Sequence, residues 1–116
     1  MYGVVKIGDR DVPMLSMAST NIYYKRVFGE DPIILQADCD MTAGEGVNFA
    51  QQLAFIMAKQ AEANGDRKRM LALNEESYLE WLDQFDGVDL QEALEDVMRV
   101  YRKDMQSTST EKKVTP

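Results

Sequence analysis

The first apolar residues of the chain form two short runs on either side of a turn signal. Val4, Val5 and Ile7 are β-branched and favour strands. Residues 8–11 read Gly-Asp-Arg-Asp, and apolar positions return after them. The pattern predicts an N-terminal β-hairpin, with Pro13 on an edge strand because proline cannot donate to a strand ladder. Two strands alone are marginally stable, so the hairpin should pack against helices.

Two short helices are expected after the hairpin. Ser19, Thr20 or Asn21 can cap the first helix, which should end at Phe28 with Gly29 just beyond it. The expected inward residues of this helix are Tyr23, Tyr24, Val27 and Phe28.

A helix restart is predicted at Asp31 and Pro32, which suit the N-cap and first helical positions. This second helix should extend to about residue 38. Its expected inward residues are Ile33, Ile34 and Ala37. Residues 43–46 read AGEG and are interpreted as a linker.

Apolar residues spaced by three and four predict three further helices. The longest should cover residues 47–64, where Asn64-Gly65 is a stop signal. The next should be capped by Asn74 or Ser77, and the last by Asp89. Their apolar positions are Phe49, Leu53, Ile56 and Met57; then Tyr78, Trp81, Leu82 and Phe85; then Leu90, Leu94, Val97, Met98, Tyr101 and Met105.

These elements together predict a mainly α fold with a small N-terminal β-hairpin (α+β), built as a compact bundle of about four helices. A chain of 116 residues suffices for one domain with a modest core. We expect this domain over residues 1–106. Residues 107–116 are rich in Ser, Thr and Lys, and are expected to form a disordered polar tail.

The charge distribution argues against nucleic acid as a partner. The net charge is −7, and residues 75–96 hold nine acids and no Lys or Arg. Such a surface repels phosphates, and a partner with a basic or apolar surface is more plausible.

The chain has no apolar run long enough for a membrane span. Its start does not resemble a signal peptide, and the single Cys39 cannot form an internal disulfide, so a cytoplasmic location without a membrane partner is expected.

Catalytic chemistry is not indicated by the residue types present. The chain has no histidine, which removes the commonest general base and metal ligand. Cys39 lies between Asp38 and Asp40, and two carboxylates disfavour a thiolate. The acids near Gly87 do not fit a calcium loop, because Leu82 would occupy its first ligand position. We therefore expect no enzyme activity, no metal site and no cofactor.

A protein-binding role has to be sought among the apolar residues instead. Eight methionines is a generous number, and methionine suits both adaptable surfaces and irregular cores. Most are interpreted as core. Met14 and Met17 flank the end of the hairpin and Met105 lies where the last helix meets the tail, so these three are the candidate interface residues.

Two segments resemble parts of a known protein family. Residues 24–31 read YKRVFGED and residues 81–85 read WLDQF. Together they are similar to the short motifs of tail assembly chaperones from long-tailed (siphovirus-type) bacteriophages and prophages. The residues that carry the resemblance are Tyr24, Arg26, Phe28, Gly29, Asp31, Trp81, Leu82 and Phe85.

The resemblance implies a specific function. Chaperones of this kind bind the tape measure protein, a long helical tail protein, and keep it soluble until tail tube subunits replace them. It also implies action in the cytoplasm of the host cell, absence from the mature virion, and self-association as a further contact. Two alternatives remain open: a non-enzymatic bacterial adaptor or regulatory module, and a structural subunit of the virion such as a head–tail connector. The neighbouring genes distinguish the three.

Overall fold

The computed structural model describes the backbone of residues 1–37 and 40–114, and the side chains of this part as far as Arg102. It confirms the predicted class, a mainly helical fold with an N-terminal antiparallel hairpin. Four of the helices have eight residues or more and two are shorter. The elements are β1 (Tyr2–Ile7), β2 (Arg10–Leu15), α1 (Thr20–Phe28), α2 (Pro32–Ala37), α3 (Ala43–Ala63), α4 (Arg67–Leu71), α5 (Glu75–Leu82) and α6 (Gly87–Val114).

The hairpin is connected by a tight turn at residues 8–9, and its register places Val4 opposite Pro13. Since side chains alternate between the two faces, Val5, Ile7 and Met14 are buried while Val4 is exposed. The inner face packs against the two long helices, with β1 on α6 and β2 on α3. The prediction that the hairpin packs against helices is thereby confirmed.

A close contact holds β1 against α6. A Cβ atom built on Gly3 would lie 2.9 Å from Cγ2 of Val100. Glycine at this position therefore allows the strand backbone to approach the helix more closely than any larger residue would.

Polar contacts attach α1 and α2 to the long helices. The Thr20 hydroxyl donates to Oε1 of Gln60 on α3 at 2.5 Å, and both side chains are buried. The Tyr101 hydroxyl of α6 donates to Oδ1 of Asn21 at 2.7 Å and accepts from Nε2 of Gln36 at 3.2 Å. Buried polar groups are stabilising only when they are paired in this way.

The short helix α2 corrects one prediction. Asp31 caps it as expected, because its carboxylate accepts from the Ile33 amide at 2.9 Å. However, Ile33 and Ile34 are 54% and 69% exposed and Ala37 is also exposed. The inward side of this helix is formed by Pro32 and Leu35. A helix of six residues can bury only one narrow side, and the turn after α1 selects which side that is.

The expected linker at residues 43–46 is the first turn of α3. Thr42 is the N-cap, and it forms a capping box with Glu45: each side chain bonds the other residue's amide. The hydrogen bond from the Thr42 amide lowers the pKa of the Glu45 carboxyl. The capping box compensates for two glycines in the first turn, which disfavour a helix. The predicted apolar stripe of α3 and its end near Asn64 are confirmed.

The C-terminal helices differ from the prediction at their ends. Asn74 caps α5, as expected, but Asp86 rather than Asp89 caps α6, accepting from the Val88 amide at 2.9 Å. With 28 residues, α6 and not α3 is the longest helix. Its stripe is buried at Leu90, Leu94, Val97 and Tyr101.

The backbone of α6 is helical as far as Val114, and the expected disordered polar tail over residues 107–116 stays a prediction. No glycine or proline interrupts the chain between Val88 and Val114, so nothing local ends the helix. The proposed domain boundary at 106 stays a prediction, because the side chains beyond Arg102 lie outside the described residues. Cys39, whose thiolate is predicted to be disfavoured, also lies outside the described residues.

Candidate interaction surfaces and the aromatic cluster

The two segments that carry the family resemblance contribute rings to one group in the interior. Eight rings form this connected group, which we call the aromatic cluster: Tyr24, Phe28, Phe49, Phe55, Tyr78, Trp81, Phe85 and Tyr101. Phe28 of the first segment contacts the Tyr78 ring at 5.0 Å between centroids. Trp81 of the second contacts Phe55 at 6.0 Å, which in turn lies 6.2 Å from Phe28. Residues far apart in sequence thus share one packed core.

Tyr24 is, like Phe55, one of the most enclosed members of the cluster. It is fully buried, and its hydroxyl donates to Oε1 of Gln52 at 2.5 Å. Burial raises the pKa of Tyr24, and the nearby Glu30 carboxylate raises it further. The phenol is therefore held neutral, as a packing residue with a satisfied hydroxyl.

Gly29 and Asp31 shape the turn between α1 and α2. Gly29 has a φ of +81° and its amide donates to the Lys25 carbonyl at 2.8 Å. This left-handed conformation favours glycine and closes the helix. Asp31 then caps α2. Arg26 is exposed, as are Lys25 and Glu30 of the same segment.

The second segment joins α5 to the hairpin. Trp81 is buried, and its ring contacts that of Phe85 at 4.9 Å. The Arg10 guanidinium carbon lies 4.8 Å from the centre of the Phe85 ring, and Arg10 Nη2 donates to Gln84 Oε1 at 3.1 Å. Leu82 is half-buried against the same core. The prediction that Trp81 belongs to the core is confirmed.

The three candidate interface methionines have different positions. Met14 is 0% exposed, so its assignment to a contact surface was wrong: it lies on the inner face of the hairpin. Met17 is 49% exposed and stays a candidate. The side chain of Met105 lies outside the described residues.

The outer face of the hairpin is an apolar surface that the sequence reasoning did not identify. Tyr2 and Val4 are 58% and 54% exposed, and their cross-strand partners are Leu15 and Pro13. These four residues, Tyr2, Val4, Pro13 and Leu15, lie on one face of the sheet, which we call the outer hairpin face. Strict alternation around the buried Val5 could have predicted it, since residues 2 and 4 must then face away from the core.

An open groove of about 640 Å³ lies between the hairpin turn and α6. It is lined by Lys6, Gly8, Asp9, Asp89, Glu92, Ala93 and Asp96. Part of its negative charge is balanced, because Arg99 pairs with Asp96 at 2.6 Å and with Glu95 at 3.3 Å. Within the part of the chain that the structure describes, no group of three or more potential ligands could hold a metal ion.

The described helices include none that is both long and apolar enough to cross a membrane. Comparison with known proteins gave no match among protein-family models. Curated proteins and solved structures likewise gave none.

Proposed function

We propose that this chain is a phage or prophage tail assembly chaperone that binds the tape measure protein and keeps it soluble during tail assembly. The observation that supports this most is the aromatic cluster, in which the two family-like segments pack together. Phe28 and Tyr78, 5.0 Å apart, connect the first segment to the helix that carries the second.

The outer hairpin face is the proposed contact with the tape measure protein. A long amphipathic helix aggregates through its apolar stripe unless another apolar surface covers it. Tyr2 and Val4 present such a surface beside an acidic groove. Basic residues flanking the stripe of the partner would then face Asp9 and Glu92.

Weak binding of each copy suits this function, since tail tube subunits must later displace the chaperone. Several copies along one long partner still give strong overall binding. The site of action is the cytoplasm of the host cell, and the chaperone is not retained in the mature virion. Neither nucleic acid, membrane, cofactor nor catalysis enters the proposal.

Co-expression tests the proposal directly. The chain is produced together with the long helical protein encoded downstream of it, and the soluble yield of that protein is measured by centrifugation and blotting. We expect a clear increase over expression of the partner alone. Val4→Glu should abolish the increase, because a carboxylate disrupts the apolar face.

A matched control separates the surface from general effects of charge. Ile34→Glu places the same carboxylate on α2, at a position that is 69% exposed. It should leave the soluble yield unchanged, and both variants should retain the circular dichroism of the parent chain. An unchanged yield with the parent chain, or a downstream gene that encodes no long helical protein, would rule out the chaperone function in favour of the adaptor or connector alternatives.

A further inference from the structure

A second apolar surface lies at the other end of the hairpin, next to α4. It is a groove of about 160 Å³ between the end of β2, α1, the end of α3 and α4. Its apolar lining comes from Leu15, Met17, Tyr23, Ala63 and Met70. We call it the α4 groove. A cavity of ~150 Å³ accommodates a benzene ring, so the α4 groove has room for one apolar side chain.

The rim of the α4 groove is the main basic region of this acidic chain. Arg67 lines the groove, and Lys68 and Arg69 follow it. The carboxylate of Asp66 also lies at the rim, but it accepts from the Lys68 and Arg69 amides as the N-cap of α4. Arg69 donates to the Glu62 carbonyl at 3.1 Å. Arg67 and Lys68 form no ion pair within the described residues, so both cations are available to a partner.

The outward side of α5 has the opposite character. Leu79 is 58% exposed at its centre. Glu75, Glu76 and Asp83 lie one turn before or after it, where side chains of a helix are neighbours, and Glu80 is adjacent. All four acids are exposed, and none forms an ion pair within the described part of the chain. The α5 surface is therefore one apolar side chain surrounded by carboxylates.

We propose that a second copy of this chain occupies the α4 groove, with Leu79 of one copy inserted between Met17 and Met70 of the other. The acids of α5 then face Arg67 and Lys68. The α4 groove has room for one apolar side chain and a basic rim, and the α5 surface presents one leucine surrounded by acids. Because the two surfaces are complementary and lie on the same molecule, we infer that the partner is a second copy of the chain. Of the outer hairpin face only Leu15 borders the α4 groove, so Tyr2, Val4 and Pro13 stay free for a different protein.

Sedimentation velocity of the purified full chain over a range of concentrations tests the contact. We expect concentration-dependent association that weakens as salt screens the opposed charges. Arg67→Glu/Lys68→Glu and Glu80→Lys/Asp83→Lys should each weaken association about tenfold or more. The new acids lie at the start of α4 and the new bases at the end of α5, where the helix dipole tolerates them, so both variants should fold.

Mixing the two charge-reversed variants gives the decisive result. Each keeps one native surface, so an equimolar mixture should regain association that neither variant shows alone. Leu79→Ser should also weaken association, whereas Lys25→Glu, an exposed reversal on α1 outside the groove, should not. A parent chain that stays monomeric at all concentrations, or a mixture that does not associate, overturns the proposal. No tape measure protein is present, so either result leaves the proposed chaperone function untouched.

Discussion

The rings of Phe28 and Tyr78 meet edge to face, with centroids 5.0 Å apart and planes inclined by 81°. This contact joins the end of α1 to the middle of α5, two helices separated by the whole of α3. Edge-to-face pairs contribute about 0.5–1.5 kcal/mol beyond the area they bury. The contact therefore couples the first family-like segment to α5, the helix that contains Trp81 and Leu82 of the second segment.

Removing the Phe28 ring should destabilise the fold markedly. For Phe28→Ala we expect a loss of about 2–3 kcal/mol, somewhat below that of a fully buried Phe because the ring is half-buried. Arg26→Ala, on the exposed side of the same helix, should change stability by less than about 0.5 kcal/mol. Urea unfolding followed by tryptophan fluorescence measures both. Equal effects would show that the cluster does not stabilise α1.

The hydroxyls of two buried tyrosines, Tyr24 and Tyr78, should respond in opposite ways to substitution by phenylalanine. Tyr24→Phe removes the bond to Gln52 and should cost about 1 kcal/mol. The Tyr78 hydroxyl has no hydrogen-bond partner among the described residues, so Tyr78→Phe should be neutral or stabilising. Thermal unfolding of the two variants distinguishes them. A large loss of stability in Tyr78→Phe would indicate a partner for its hydroxyl.

Alkaline pH should destabilise the protein through the same two residues. Burial raises the pKa of Tyr78 from an ordinary value of 10.0 to about 12. Between these values the unfolded chain has lost the phenol proton while the folded chain keeps it, so stability falls as pH rises. The contribution of the protonated Tyr78 phenol to stability is complete below pH 10.0 and is lost as pH approaches about 12. The urea midpoint, measured across this pH range, should decline less steeply in Tyr78→Phe than in the parent chain. The same decline in both proteins would show that Tyr78 does not cause the loss of stability.

Gly29 should tolerate asparagine better than alanine. Its φ of +81° lies in the left-handed region, where a residue with a Cβ is strained by about 1–2 kcal/mol. No atom outside the turn would meet that Cβ, so strain alone sets the cost. Gly29→Ala should lose about 1 kcal/mol and Gly29→Asn less, because asparagine adopts this conformation more readily. Denaturant unfolding of both variants gives the order, and a neutral alanine would mean that the turn rearranges.

The approach of β1 to α6 can be tested by a compensating pair. Gly3→Ala should destabilise the fold by about 1–3 kcal/mol, because its Cβ would lie 2.9 Å from Val100 Cγ2. Val100→Ala removes that methyl group, so the double variant should be less unstable than the sum of the two single changes. Stability measured for all four proteins gives the coupling. If the stability losses of the two single variants simply add in the double variant, the strain in Gly3→Ala does not come from contact with Val100.

The helical regions could be predicted because their signals are local. Stripes spaced by three and four, the Asn64-Gly65 stop and the Asn74 cap each act within a few residues, and the structure contains all of them. The start of α3 was missed because two glycines suggested a linker. Thr42 and Glu45 stood at capping-box spacing, and this local signal could have extended the helix by one turn.

The class of fold, the hairpin, the positions of most helices and the aromatic residues available for a core follow from the amino-acid pattern alone. Which apolar residues face solvent follows only from the way the elements pack together. Met14 is buried and Met17 exposed, and Ile33 and Ile34 lie outside while Leu35 packs inward. The physical reason is that periodicity defines the faces of an element, whereas the placement of α3 and α6 selects the face that is covered. The packing of segments 24–31 and 81–85 on the common ring of Phe55 likewise depends on contacts between residues far apart in the sequence, which no local pattern encodes.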